Sequence, residues 1–163
     1  MAVTKAKAEQ ERLKRNEEKW SRALMEAGWT ALPSIILEKQ DALGLDAIDV
    51  NILLQLARHW WYSDNPPYPS KATLAKCIGV DSSTIRRHIA RMEAIGFIKR
   101  EERFTKRKFG GQDTNEYHFD GLIKAATPFA AEFVKVREQR RMEDADRQKR
   151  KKPKLIVDNT EKT

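Results

Sequence analysis

The clearest hydrophobic pattern in this chain places an apolar residue at every fourth position, at Ile48, Ile52, Leu56 and Trp60. This spacing brings the four side chains onto one face of an α-helix. Asp46 comes just before the pattern and can cap the helix, because its carboxylate can accept hydrogen bonds from the free backbone amides of the first turn. The sequence therefore predicts a core helix that begins near Asp46.

Two shorter amphipathic helices follow a proline-rich loop at residues 63–69, which cannot itself be helical. Ser70 can cap the first of these helices, and Gly79 can end it by turning the chain through positive φ. Either Asp81 or Ser82 can cap the second helix. The apolar residues expected on the inner faces of the two helices are Leu74, Ala75, Ile78, Ile85, Ile89, Met92 and Ile95.

The pattern then changes to that of a β-hairpin. Residues 97–104 predict one strand, and residues 115–119, which alternate polar with aromatic side chains, predict a second. Residues 105–113 lie between them and have the basic, glycine-containing composition of a hairpin tip. Helix, helix-turn-helix and hairpin together predict a mainly α fold with a small β-hairpin, which is a winged helix-turn-helix with N- and C-terminal helical extensions.

Helical periodicity also appears near both ends of the chain. Residues 4–27 predict a charged helix with a narrow apolar stripe, which would either bind a partner or pack on its own domain. Residues 122–142 predict another helix, with Pro128 in its first turn. We expect four segments: a charged N-terminal helical arm at 1–27, the winged helix-turn-helix domain at 28–121, a C-terminal helix at 122–146 and a basic disordered tail at 147–163.

A few side chains allow more than one interpretation. The aromatic run from Trp60 to Tyr62 could stack on bases, but aromatic residues that end an amphipathic helix favour a place in the core. Cys77 cannot form an internal disulfide, and its helical position favours a small buried residue over a reactive thiol. No apolar run is long enough for a signal or transmembrane segment, so we expect a soluble protein in a reducing, cytoplasmic setting.

The formal charge of +8 is distributed unevenly along the chain. Residues 70–111 contain eleven Lys and Arg against four Asp and Glu, a net charge of +7, and residues 135–163 have a net charge of +5. Such concentrated positive charge is typical of a surface that binds a polyanion, although an anionic membrane or an acidic protein would also be attracted.

The outer face of the helix after Gly79 combines small residues with arginine. With about 100° per residue and Ile85 directed inward, Ser83 and Arg87 point almost directly outward. A helix of this kind fits the major groove of DNA, where an arginine can hold guanine through two hydrogen bonds. Arg87 is the first candidate for base reading. The complete set of predicted base-reading residues is Ser83, Thr84, Arg86, Arg87 and Arg91.

The phosphates of the same DNA would be bound by hydroxyl groups and cations around this helix. Six of the ten residues from 99 to 108 are Lys or Arg, more than a solvated hairpin edge needs to avoid aggregation, so phosphate binding is favoured. The predicted backbone-contacting residues are Ser70, Lys71, Ser82, Lys99, Arg100, Arg103, Lys106, Arg107 and Lys108.

Taken together, these motifs resemble the winged helix-turn-helix domains of bacterial, phage and plasmid proteins, including GntR-type and MarR-type regulators and replication initiators. The resemblance covers about residues 47–119, and it implies DNA binding, often by a dimer on a two-fold-symmetric site. No effector domain of the GntR type follows the motif. The segments that carry the resemblance are Pro69-Ser70, Leu74-Ala75, Ile78-Gly79-Val80, Ser83 to Arg87, Met92-Glu93, Gly96-Phe97-Ile98 and Tyr117.

The sequence thus predicts a homodimeric, nucleoid-associated protein that binds specific double-stranded DNA and regulates transcription. A plasmid or phage replication initiator is the close alternative, and a protein-interaction adaptor that uses the charged arms is the alternative from another class. We expect no enzyme activity, because the histidines are far apart and no phosphate-binding loop or nucleophile elbow is present. We likewise expect no metal, no cofactor, no small-molecule ligand and no membrane association.

Overall fold

The computed structural model of the protein describes residue 11 and residues 14–105, 111–112 and 114–149. The chain divides into two units, residues 1–126 and 127–163. The helices are α1 (residues 14–20), α2 (Arg22–Glu26), α3 (Ser34–Glu38), α4 (Ala47–Ala57), α5 (Lys71–Ile78), α6 (Ser82–Ala94) and α7 (Asp120–Lys149). The strands are β1 (Lys99–Glu101), β2 (Phe104–Thr105), β3 (Gly111–Gln112) and β4 (Glu116–His118).

Helix α4 begins with the cap that the sequence predicts. The Asp46 carboxylate accepts hydrogen bonds of 2.9 Å from the backbone amides of Ile48 and Asp49. The Asp49 carboxylate in turn accepts a hydrogen bond of 2.9 Å from the Asp46 amide, which completes a reciprocal capping box. Amides that an isolated helix end would leave without a partner are thereby bonded inside the protein.

The core of the first unit is formed where α4, α5 and α6 pack on one another. The predicted inner faces of α5 and α6 are confirmed for most positions, but Ile95 is about half exposed because it follows the last residue of α6. Each fully buried side chain of this size stabilises the fold by about 1.5–3 kcal/mol. The core side chains with 0% or 1% exposure on these three helices are Ile52, Leu53, Leu56, Leu74, Ile85, Ile89 and Met92.

The connection between α5 and α6 is short and depends on a glycine. Ser70 caps α5 by accepting a 3.0 Å hydrogen bond from the Thr73 amide. Gly79 ends α5 with φ of 80°, a left-handed conformation that side chains with a Cβ adopt only at a cost. Both predictions are confirmed, and α6 starts only three residues later, at Ser82.

The hairpin is also confirmed. Strand β1 pairs antiparallel with β4, with Arg100 opposite Tyr117, and β2 pairs antiparallel with β3. The Tyr117 amide donates a 2.9 Å hydrogen bond to the carbonyl of Pro67, which ties the hairpin to the loop before α5. Most of the predicted tip, including Lys106, Arg107 and Lys108, lies outside the described residues.

The terminal helices differ from the prediction. Ser21 has φ of 70° and interrupts the expected continuous helix between α1 and α2, while Trp20 and Leu24 expose 63% and 60% of their surface. Residues 4–10 and 12–13 of that prediction lie outside the described part. Helix α7 begins at Asp120 and reaches Lys149, so Pro128 lies inside the helix and not in its first turn. Of the predicted disordered tail, residues 147–149 are helical, and the rest is outside the described part.

Three side chains that were expected in the core lie at the surface. Helix α4 ends at Ala57, before the aromatic run, so only Trp60 turns inward, where it stacks on Phe119 with ring centroids 5.0 Å apart. Trp61 and Tyr62 are 62% and 71% exposed. Cys77 is exposed as well, because α5 directs its inner face through Leu74 and Ala75.

Candidate nucleic-acid interface

Helix α6 presents one polar, cationic face to solvent and one apolar face to the core. Ile85, Ile89 and Met92 are fully buried, whereas Arg86 and Arg87 are exposed between them in sequence. The helix therefore holds both guanidinium groups at the surface, and small exposed residues, Ser83, Ala90 and Ala94, lie on the same helix. Small side chains allow close approach of another molecule, and guanidinium groups donate several hydrogen bonds in a fixed plane.

The start of α6 is arranged differently from α4. Within the described part of the chain, the Asp81 carboxylate accepts hydrogen bonds from the hydroxyls of Ser83 (3.3 Å) and Thr84 (3.5 Å), and from no backbone amide at the helix start. Its negative charge is favourable beside the positive end of the helix dipole. A phosphate at Ser82 would meet this carboxylate, so the amides of α6 are a less favourable anion site than the sequence suggests.

A cluster of cations links α5, α6 and the hairpin. Burial lowers the pKa of the Lys71 amine, and the positive charges of Arg100 and Arg86 lower it further. Glu93 acts in the opposite direction and lies 3.3 Å from the Arg100 guanidinium. The charges of Arg86 and Arg100 thus both act on Lys71, and we call these three residues the cationic cluster: Lys71, Arg86 and Arg100. Such a set of positive charges attracts phosphate groups.

The described part of the hairpin contains both paired and stacked cations. The Lys99 amine lies 2.6 Å from the Glu101 carboxylate, a fully exposed pair. Arg103 lies 4.2 Å from the centre of the Tyr68 ring and 3.7 Å from the Glu116 carboxylate. Exposed ion pairs contribute little to stability, so a phosphate can replace Glu101 as the partner of Lys99 at low cost.

Arg91 occupies a position that the sequence did not reveal. Its guanidinium contacts the carboxylates of Asp49 and, at 3.5 Å, Asp46, at the start of α4. The Nδ1 atom of the nearly buried His88 approaches the same two carboxylates, at 2.9 Å from Asp49 and 3.5 Å from Asp46. A base contact by Arg91 would require its ion pairs to open. The sequence shows an acid, Asp49, three residues after the helix cap at Asp46, where it favours the helix dipole, but it does not indicate any partner on α6.

The Asp46, Asp49 and His88 side chains also have the donor atoms of a metal site. One ligand atom from each lies within 4.8 Å of the others. However, the Arg91 guanidinium already contacts Asp49 and supplies the positive charge that a cation would otherwise bring. These groups therefore form an internal polar network that fixes α6 on α4. None of the helices in the described ranges is long and apolar enough to span a bilayer.

We compared the chain with known protein families, curated proteins and solved structures. Residues 43–98 match the model of a family described as a helix-turn-helix domain. A search of curated proteins found no match.

Among solved structures, a possible transcriptional regulator from Methanosarcina mazei Go1 is 17% identical, with a TM-score of 0.39 and coverage of 68% of this chain and 85% of that chain. The transcriptional regulator SlyA is 20% identical, with a TM-score of 0.37 and coverage of 86% of this chain and 81% of that chain. At these TM-scores the fold assignment rests on the elements described above and on the family match. Residues 43–98 therefore match a helix-turn-helix domain, and the hairpin that follows gives this part of the chain the arrangement of a winged helix.

Proposed function

We propose that this protein binds specific sequences of double-stranded DNA and regulates transcription, with α6 in the major groove. The observation that carries this proposal is the exposure of Arg86 and Arg87 on the second helix of a helix-turn-helix domain whose opposite face is fully buried. A rigid helix that presents guanidinium groups beside small residues has the shape and the donors that base edges require.

The surroundings of α6 support binding to the DNA backbone. The cationic cluster brings Lys71 from α5 and Arg100 from β1 close to Arg86. Burial is the main reason that the pKa of Lys71 is lowered, and phosphates bound there would offset the further lowering by Arg100 and Arg86, because they add negative charge. We therefore assign Arg87 and Ser83 to base reading and the cationic cluster to phosphates. The further phosphate contacts that we propose are Lys99, Arg103, Lys106, Arg107 and Lys108.

Selection of bound sequences from a random pool of duplexes tests the proposal directly. A defined consensus is expected, and a palindromic one would indicate that the protein binds as a homodimer. Binding should weaken with salt, with a log-log slope of about −0.9 for each phosphate contacted. Failure to bind any duplex, or binding that does not depend on salt, would refute the proposal.

A pair of variants separates base reading from general charge. Arg87→Ala should reduce the preference for the selected sequence by about 1–3 kcal/mol, because one bidentate contact to a base is lost. Arg58→Ala removes the same charge at an exposed position outside α5, α6 and the hairpin, and should leave the preference unchanged. Equal losses in both variants would show that Arg87 contributes charge only.

A further inference from the structure

A cavity of about 530 Å³ lies beside the hairpin, between the loop that follows α4 and the first turn of α5. Arg87 and Ser83, the residues assigned above to base reading, do not line it. Its lining combines two aromatic rings, Trp61 and Tyr68, with polar side chains, of which Asn65, Ser70 and Thr73 belong to the loop and to α5. The volume lies within the range of pockets that enclose small ligands, about 300–1,000 Å³.

The two aromatic rings are available for stacking. Trp61 is 62% exposed and Tyr68 is 44% exposed, so both rings offer apolar surface that the core does not cover. Aromatic side chains of this kind are the platforms on which unpaired bases stack, since every base has an aromatic face. The Arg103 guanidinium lies 4.2 Å from the centre of the Tyr68 ring and adds positive charge at the same place.

The polar groups of the cavity suit the edges of a base. The hydroxyls of Ser70 and Thr73 are 2.8 Å apart and Asn65 supplies an amide with both donors and an acceptor. Partial burial and the neighbouring charge of Arg58 lower the pKa of His59, which favours the neutral imidazole with one donor and one acceptor. A nucleobase binds through aromatic rings that stack on its faces and through hydrogen-bond donors and acceptors that meet its edges, and the cavity offers both.

The cavity and the cationic cluster include consecutive residues at the start of α5. Ser70 lines the cavity, and the next residue, Lys71, belongs to the cluster with Arg86 and Arg100. A nucleotide whose base entered the cavity would therefore have cations close to its phosphate. A base within an intact duplex cannot enter, because both of its faces are already stacked on neighbours.

We propose that this cavity binds a single unpaired nucleotide, with the base stacked on Trp61 and the phosphate beside Lys71. The nucleotide comes either from a single-stranded stretch of DNA or from a free mononucleotide. The site goes beyond the duplex binding proposed above: its stacking and edge-binding groups lie outside α6, and Lys71 is the phosphate contact that the two proposals share.

Fluorescence anisotropy of the full chain with a labelled single-stranded oligothymidylate of about 12 nucleotides tests the site. Trp61→Ala should weaken binding by about tenfold or more, because one stacked base is lost, whereas Trp61→Phe should retain most of the affinity. Tyr62→Ala is the matched control, since Tyr62 is the adjacent aromatic residue, is 71% exposed and is not among the side chains that line the cavity. It should bind as the wild type does.

Equal affinity of Trp61→Ala and Tyr62→Ala would overturn the proposal, as would equal binding of an abasic strand of the same length. Release of the oligothymidylate by thymidine monophosphate but not by deoxyribose phosphate would identify a free mononucleotide as a ligand, and release by unlabelled strand alone would identify single-stranded DNA. If the wild-type protein binds the oligothymidylate but no duplex, the proposed function is refuted and this site is not. If it binds the selected duplex but not the oligothymidylate, this site is refuted and the proposed function is not.

Discussion

The Nδ1 atom of His88 on α6 lies 2.9 Å from the Oδ1 atom of Asp49 on α4. Asp49 is completely buried, and its second carboxylate oxygen accepts a hydrogen bond from the Asp46 amide and contacts the Arg91 guanidinium. One carboxylate therefore completes the cap of α4 and holds two side chains of α6. Because the two helices share this group, the orientation of the proposed recognition helix depends on the first turn of α4.

The first prediction concerns this shared carboxylate. Asp49→Ala should lower the free energy of unfolding by about 3–5 kcal/mol, because it breaks a buried polar network and leaves His88 and the Asp46 amide without their acceptor. Chemical denaturation followed by circular dichroism measures the effect. Asp41→Ala removes an exposed carboxylate and should change stability by less than about 0.5 kcal/mol. A loss below about 1 kcal/mol for Asp49→Ala would contradict the assignment.

The local signals in the sequence predicted the helices better than the contacts between them. The caps at Asp46 and Ser70 and the turn at Gly79 follow from residue types and spacing over three or four positions, and all three are confirmed. The pair of Asp49 and His88 joins residues 39 positions apart, and no local period encodes such a contact. For the same reason the helical angles predicted a position for Arg91 on the flank of the outer face but did not predict its ion pairs.

The surface positions of Trp61 and Cys77 were missed for a related reason. Hydrophobicity predicted burial for Trp61, but α4 ends at Ala57 and the loop carries the ring away from the core. The candidate cavity was therefore not predictable from the sequence, since it forms where this loop meets α5 and Thr114, two residues before β4. The interpretation as a stacking platform, which the sequence ranked second for the run from Trp60 to Tyr62, is the one that the exposure of Trp61 supports.

The second prediction concerns the contact between the start of α7 and the turn after α6. A Cβ atom added at Gly121 would lie 1.7 Å from the carbonyl oxygen of Gly96, so the backbone must move. Gly121→Ala should lower stability by about 1–3 kcal/mol and break the 2.9 Å hydrogen bond from the Leu122 amide to Phe97.

Hydrogen exchange at the Leu122 amide reports this break separately from global stability. Gly79→Ala is the control, because an added Cβ there meets no atom within 4 Å and the cost arises only from φ of 80°. The control should lose stability by about 1–2 kcal/mol while the Leu122 amide keeps its protection relative to other core amides. Equal relative protection in both variants would show that α7 does not depend on the glycine.

The third prediction is a pH dependence that arises from Tyr117. Burial raises the pKa of the Tyr117 phenol above its ordinary value of 10.0, and the charge of Arg100 opposes the effect. The folded protein thus keeps the phenolic proton at pH values where the unfolded chain releases it. The resulting contribution to stability is fully present below pH 10 and is lost as the pH rises through the higher pKa of the folded state.

Replacement of the phenol tests the origin of this loss. The difference in free energy of unfolding between wild type and Tyr117→Phe should be constant below pH 10 and should change in favour of Tyr117→Phe above it. The titration of lysines is common to both proteins and cancels in the difference. Tyr62→Phe, at a 71% exposed position, should show no such divergence. Parallel curves for wild type and Tyr117→Phe up to pH 11 would contradict the prediction.

The last prediction separates the roles of two arginines on the same helix. Arg87 is exposed, whereas the Arg91 guanidinium is held by Asp46 and Asp49. A contact from Arg91 to a base would have to replace ion pairs that include a buried carboxylate, which costs more than recruiting a free side chain. Arg91→Ala should therefore clearly lower the free energy of unfolding but reduce the sequence preference by less than about threefold. Arg87→Ala should change stability little and reduce the sequence preference by about 1–3 kcal/mol. Competition between the selected duplex and a scrambled duplex, at a temperature where both variants are folded, measures the preference. If Arg91→Ala relaxes the preference as much as Arg87→Ala does, the ion pairs open when DNA binds, and Arg91 reads a base as the helical angles predict.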